Sequence, residues 1–558
     1  MVERQKYFSS EGVTMVDQVT NFYIYVADKP LPSNYASHLH SLTVESSLNL
    51  PSIAEFTLLD NDLKFIDDEE LLVPGKSLQI YARENRGSQI FDGEIVELEP
   101  NFQSPHKYCV VRGFDRLHWL MRGQLTKDYI NQSDSSIATE IIGTDCKPLN
   151  PVVQSTSPVH RYVFKDNETN LSFLQRRAAL LGFVIYADGK DIHFEAPKSR
   201  EEIELTWSAD GLSNFRPRLS TLDQPTEVTA RAIDMATGKV LVGKAGVGTG
   251  QPEVGEPKDR VAMAKTLSVG QSPSDGNKAV ISTAVRDSSD VTQKHVDNLA
   301  SSEANRRSSD YIQAEGTCGG NPQIVAGTKI KISNIGKRFG GSYVVSSATH
   351  IFDSQKNYTT HFNVTGTHVQ TLQHLLGHRP QPRYGFVVGI VDEVEGDPEH
   401  LCRVKVLYTG LDDKSKSNWA RVVSVGGGNN RGIEFLPENG DEVLIGFENG
   451  DVHAPYVLGG VWNKVNVPPE LDTSIVEGGK VKRRIIRSRM GHTITLDDSD
   501  STLGITVDDG KGGKIHIDTK KKTMTLEAEN GIEIKSKKIT INGSSTVLID
   551  GGAIEIGR

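Results

Sequence analysis

Apolar residues two apart recur through the stretch 494–558: Ile494/Leu496, Ile505/Val507, Ile515/Ile517, Met524/Leu526, Ile532/Ile534, Ile539/Ile541, Val547/Ile549 and Ile554/Ile556. A spacing of two puts both members of a pair on one face of a strand. Turn-forming residues separate the pairs, among them Asp508-Asp509-Gly510, Glu529-Asn530-Gly531 and Asn542-Gly543-Ser544. The pair-to-pair distance is roughly ten residues at first and then seven or eight, far shorter than any helical-repeat unit. One chain folding into such short strands buries little and leaves open edges. The pattern therefore predicts an intertwined, three-stranded β-helical needle over 491–558. Its common core is Ile505, Val507, Ile515, Ile517, Met524, Leu526, Ile532, Ile534, Ile539, Ile541, Val547 and Ile549.

Upstream, strand-like segments alternate with turns from Phe22 to Gly113, at the 8–12-residue spacing of a barrel or sandwich. Two helices interrupt them. Ser133 or Asp134 can cap 137–142, and Thr169 or Asn170 can cap 171–181, with Gly182 at its end. Asp290 to Arg307 reads as a polar helix with Val291, Leu299 and Ala304 as sparse anchors. The expected order is an arm (1–20), a first barrel (21–114), a second barrel (115–220) and a segment completing the first (221–367). That last segment holds a long Gly/Pro-rich insertion. A linker (368–383) leads to five strands at 385–391, 402–406, 420–425, 443–447 and 455–461, the pattern of a small OB-type barrel. A basic collar (464–490) precedes the needle. The predicted class is mainly β.

At 558 residues the chain exceeds a single core. Its net charge of −10 gives no general case for nucleic acid or an anionic membrane. Cys109, Cys146, Cys318 and Cys402 follow no metal spacing and read as reduced thiols. No signal peptide is visible at the amino end, which points to synthesis and assembly in the cytoplasm. The longest nearly apolar run, 178–187, is too short to span a bilayer.

Motifs that hint at chemistry are weak. His374 and His378 have helical ligand spacing, but Gly377 weakens a helix and a metalloprotease glutamate is missing. The Gly426-Gly427-Gly428 run lacks the Lys-Ser/Thr of a phosphate loop. Between Tyr384 and Asn463, thirteen Asp/Glu stand against six Lys/Arg, so the barrel lacks the attraction a nucleic acid needs. Lys480, Lys482, Arg483, Arg484, Arg487 and Arg489 read as a solvated basic ring at the needle's root. The expected catalytic, cofactor and metal sites are none.

Several segments resemble a known family. Phe114-Asp115-Arg116-Leu117-His118, the segment 168–194, and above all Asn418-Trp419-Ala420-Arg421-Val422, Leu436-Pro437-Glu438-Asn439-Gly440-Asp441-Glu442-Val443 and Pro455-Tyr456-Val457-Leu458-Gly459-Gly460-Val461-Trp462-Asn463 resemble the VgrG-type spikes of contractile injection systems. The resemblance implies a homotrimer with a two-barrel base, an OB collar and a needle. It implies a hexameric tube ring and baseplate proteins as partners at the base, effector cargo as a further passenger, and a PAAR-repeat tip protein on the point. Ile554, Ile556, Gly557 and Arg558 would form the tip platform. Sheath contraction would drive the spike through a target envelope. Type VI, extracellular, anchored and phage-like particles all remain open. The competing readings are a spike-associated cell-wall hydrolase and a receptor-binding tail fibre or adhesin.

Overall fold

A computed structural model describes residues 22–82, 88–197, 201–208, 211–220, 227–233, 240–246, 253–254, 292–353, 357–366, 385–408 and 416–554. The expected arm, the linker with His374 and His378, and most of the insertion lie outside these residues. The chain divides into two compact units, Met1–Gly460 and Val461–Arg558.

The first unit is built on an eleven-stranded sheet. Leu212–Leu219, Ile312–Gly319, Asn357–Val364 and Ser347–Asp353 lead into Leu39–Ser47, Ile53–Leu59, His106–Asp115, Gln89–Gln103, Ser77–Tyr81, Tyr23–Val26 and Lys29–Pro30. Period-two burial drives the pairing: Ile53–Leu59 buries Ala54, Phe56 and Leu58 completely and turns its other residues outward. One core gathers Val26, Val44, Phe56, Leu78, Ile80 and Val111; a second gathers Leu205, Leu212, Ile312, Ile330, Tyr343 and Phe362. Ile312–Gly319, Ser347–Asp353 and Asn357–Val364 thus share the sheet of strands 23–115, whereas Lys329–Ser333 and Gly341–Val344 lie in a separate four-stranded sheet.

Residues 202–219 depart from the expected second barrel. Glu202–Thr206 pairs in parallel with Lys329–Ser333, and Leu212–Leu219 pairs with Ile312–Gly319. Phe215 explains the choice: its ring lies edge-on to Tyr343, centroids 5.5 Å apart, inside the second core. Alternation in sequence marks a strand's buried face but does not name the sheet that receives it.

Residues 117–194 carry a core of their own, including Leu117, Ile137, Ile141, Phe173, Leu174 and Phe194. Ser133 and Thr169 cap Asp134–Glu140 and Asn170–Leu181 by accepting amide bonds, and Gly182 closes the second helix at φ 70°. The first helix runs into a π-turn, Ile141–Asp145, instead of stopping at Gly143.

Helix Gln293–Ser309 buries Val296, Ala300 and the expected Ala304, spaced four apart, and the expected Leu299 packs half-buried against the core of Val296 and Ala300. Val291 lies outside the described residues. The helix packs on the hairpin Glu227–Ile233/Val240–Gly246 so closely that a Cβ on Gly243 would fall 2.4 Å from Val296 O.

The OB strands fall where the pattern placed them: Phe386–Glu393, Lys405–Leu407, Arg421–Val422, Glu442–Phe447 and Pro455–Gly460. Their core, with Val391, Val406, Val443 and Ile445, also takes in Tyr162 and Phe164 from strand Val159–Glu168. Tyr162 OH donates to Lys416 O at 2.6 Å, and Arg161 pairs with Glu399 at 2.8 Å. Glu399 belongs to a loop tied by the buried Asp397–Arg403 pair. Burial opposes the Asp397 charge, but bonds from Arg403 and from the amides of Glu399 and Leu401 outweigh it and hold that carboxyl well below the usual range.

Candidate assembly surface

The second unit contains a five-stranded antiparallel meander: Arg483–Arg487, Thr493–Asp497, Gly504–Asp508, Lys514–Asp518 and Thr523–Glu527. The register aligns the apolar pairs strand after strand. One row runs Ile486, Ile494, Val507, Ile515, Leu526; the next runs Leu496, Ile505, Ile517, Met524. The opposite face carries Thr495, Thr506, His516 and Thr525 in a row, with Thr506 Oγ1 3.0 Å from His516 Nδ1. The sequence pairs therefore make one continuous apolar face and one polar face.

Nothing within the unit covers the apolar face. Its side chains range from 41% exposed at Ile505 to 66% at Met524, with Ile517 alone half-buried. None of them belongs to a buried core among the described residues. A monomeric soluble fold rarely leaves so contiguous a patch.

The polar trim is locally satisfied. Arg483 pairs with Glu470 at 3.0 Å and Asp497 at 3.1 Å, and Arg484 with Asp498 at 2.6 Å. Burial works against the Asp497 charge, yet bonds from Ser499 and Thr502 and the nearby Arg483 bring its pKa down to about 2. Much of the collar's charge is thus matched by its own carboxylates. In the turn, Asp509 accepts from the amides of Lys511 and Gly513.

The ladder stops where the repeat shortens. Pairs start ten residues apart at 505 and 515 and nine apart at 515 and 524, then eight apart at 524 and 532. Residues 528–554 carry no strand and are exposed throughout. Ile532, Ile534, Ile539, Ile541, Val547 and Ile549 are all at least 50% exposed, and Ile554 is exposed too. Ile556, Gly557 and Arg558 lie outside the described residues. An intertwined needle is not present in the single chain; half of its expected core residues stand on the meander and half on this unpaired stretch.

Reasoning from the sequence left Ile486 out of the surface, because it sits in the charged run of the collar. It also passed over Val425, Ile433 and Phe435 in the OB unit, all exposed, with Ile433 N bonded to Val425 O at 3.0 Å. The signal was there: Ile433 and Phe435 repeat the two-residue spacing beside the glycine run.

Residues 387–462 match the family model of the type VI secretion system/phage-baseplate injector OB domain. Residues 16–353, well over half of the chain, match that of the Alg8 N-terminal domain. The type VI secretion system spike proteins VgrG5 and VgrG1b of Pseudomonas aeruginosa are 35% identical over 131 residues and 30% identical over 154 residues. The chain belongs to the family of that Alg8 N-terminal domain. Its OB segment and these relatives make it similar to VgrG-type spikes. These matches take in 21% and 27% of this chain, but only 16% and 19% of the two relatives. Two solved structures share the fold. The E. coli c3393 protein, described as a type VI secretion component similar to T4 tail proteins gp27 and gp5, has a TM-score of 0.51 at 14% identity, over 79% of this chain and 99% of that one. A chain of the lidded Francisella PdpA–VgrG complex has 0.52 at 11%, over 91% and 80%.

Proposed function

We propose that this chain is the homotrimeric central spike of a contractile injection apparatus. Three copies join the tube and baseplate at one end to a tip protein at the other and pierce the target envelope when the sheath contracts. The observation that supports this is the uncovered apolar face of the meander, continued by exposed pairs from Ile532 to Ile554. Sister chains would cover the face and pair the open edges. Covering a half-exposed Ile or Val is worth about 1 kcal/mol, and three copies multiply the sum.

The reading makes the polypeptide a mechanical part and not a catalyst. Its partners are two more copies of itself, tube and baseplate proteins, and a tip protein seated by Ile554, Ile556, Gly557 and Arg558. Injected effectors are passengers, and nucleic acid has no role. No helix among the described residues is long and apolar enough to cross a membrane.

Native mass in solution tests the proposal. The full chain should sediment as a trimer, and Ile532→Asp should abolish the trimer by placing three carboxylates in a dry core. A folded monomer, or an Ile532→Asp protein that remains a heat-stable trimer, would overturn the reading.

A further inference from the structure

A buried polar chain links four elements of the first unit. Arg177 Nε donates to Asp134 Oδ1 at 2.6 Å, and His160 Nε2 lies 2.9 Å from Asp134 Oδ2. His295, in the first turn of helix Gln293–Ser309, places Nε2 3.1 Å from His160 Nδ1, and the two rings stack with centroids 4.8 Å apart. The Thr292 amide donates to His295 Nδ1 at 3.0 Å, closing the helix's capping box. Asp134, His160 and Arg177 are at most 5% exposed.

The Thr292 N–H points at His295 Nδ1, so that nitrogen accepts, and Nε2 of the same neutral ring carries the proton turned toward His160 Nδ1. On the far side of the His160 ring, Nε2 faces both Asp134 Oδ2 and Arg177 Nη2, the latter at 3.0 Å. A further proton on His295 Nδ1 removes the acceptor that caps the helix. It also makes the ring a cation stacked on His160, which the Arg177 guanidinium already contacts. The other charged groups nearby are already engaged. Lys294 donates to Ser157 Oγ, Asp297 accepts from Gln293, and Glu227 and Lys244 of the hairpin pair with each other.

We propose that the His160–His295 stack is an acid-sensitive latch: protonation releases the first turn of helix Gln293–Ser309 from the Asp134–Arg177 pair and loosens the base locally. The direction follows from the seated state. Burial, then the His160 and Arg177 charges, push the His295 pKa from 6.5 down to about 4. The contact is therefore at full strength above 6.5 and is lost progressively as the pH falls through the interval toward about 4.

Hydrogen exchange on the full chain, corrected for the intrinsic pH dependence of amide rates, tests this. Between about pH 7.5 and about pH 4.8, amides of 293–300 should lose about tenfold in protection while those of Glu442–Phe447 keep theirs. His295→Gln keeps a capping acceptor but cannot titrate, so its loss should fall below about twofold. His295→Asn serves the same purpose if the first variant does not fold. Equal protection at both pH values in the natural chain, or an undiminished loss in a folded variant, would overturn the proposal.

Discussion

His453 Nε2 lies 2.9 Å from the amide nitrogen of Phe164, while Nδ1 of the same ring lies 2.8 Å from Asp451 Oδ1. With its proton on Nδ1, the imidazole gives to Asp451 and accepts the Phe164 amide. A histidine of the OB domain thus completes a strand of the base. Phe164 itself is fully buried among Tyr408, Val406 and Val443. Truncating it to Phe164→Ala should cost about 3–5 kcal/mol through lost contacts and a cavity. His453→Ala should cost about 1–3 kcal/mol by orphaning a buried amide. Denaturant unfolding measures both, and limited proteolysis should release the OB domain from Phe164→Ala before the base unfolds.

Arg177 sits almost wholly out of water with Asp134 as its carboxylate. The Arg177 charge and the His160 bond hold the Asp134 carboxyl well below its usual range, against the burial that would raise it. Asp134→Ala leaves a buried cation without its anion and should destabilise by about 3–5 kcal/mol. Replacing both members by Asp134→Leu with Arg177→Met should recover much of that loss, since the desolvation cost disappears with the charges. The midpoint of urea unfolding checks the pair.

Gly243 faces the backbone of Val296 with no room for a side chain. Gly243→Ala must push the helix off the hairpin, at a cost of about 1–3 kcal/mol. Faster exchange of the amides in Gln293–Ser309, with the OB domain unaffected, is the expected signature.

The local rules of the chain were legible because they are short-range. Period-two alternation located the OB strands and the meander, and Ser133, Thr169 and Gly182 marked helix ends through their own caps. Three features escaped for physical reasons. The strand of Leu212–Leu219 alternates equally well for either sheet, and only the Phe215–Tyr343 contact decides. The Asp134–Arg177–His160–His295 cluster joins residues far apart in sequence, which no spacing rule brings together. The place where the meander ends leaves no mark in the alternation, because the two-apart pairs continue past Leu526 through Ile532, Ile539 and Val547 although the single chain pairs no strand there.

Deleting residues 553–558 tests the tip assignment apart from assembly. If Ile554, Ile556, Gly557 and Arg558 seat a separate tip protein, the truncated chain should keep its trimeric mass and lose co-purification of that protein. Unchanged co-purification would refute the assignment, because no part of the proposed platform would remain.

The two faces of the meander make opposite predictions for the same charge. Ile515 and Thr525 stand on adjacent strands but point to opposite sides, since Ile515 pairs with Leu526 and Thr525 with His516. Both sites leave room for a carboxylate in an isolated chain, so neither Ile515→Asp nor Thr525→Asp should unfold a monomeric meander. If sister chains cover the apolar face, Ile515→Asp buries one carboxylate per copy, at several kcal/mol each even after relaxation, about enough to abolish micromolar association. Thr525→Asp keeps its charge in water and should leave the mass of the particle unchanged. Sedimentation of the two variants side by side reads the difference directly. Loss of assembly in Thr525→Asp with retention in Ile515→Asp would turn the sheet around and place the threonine row inside.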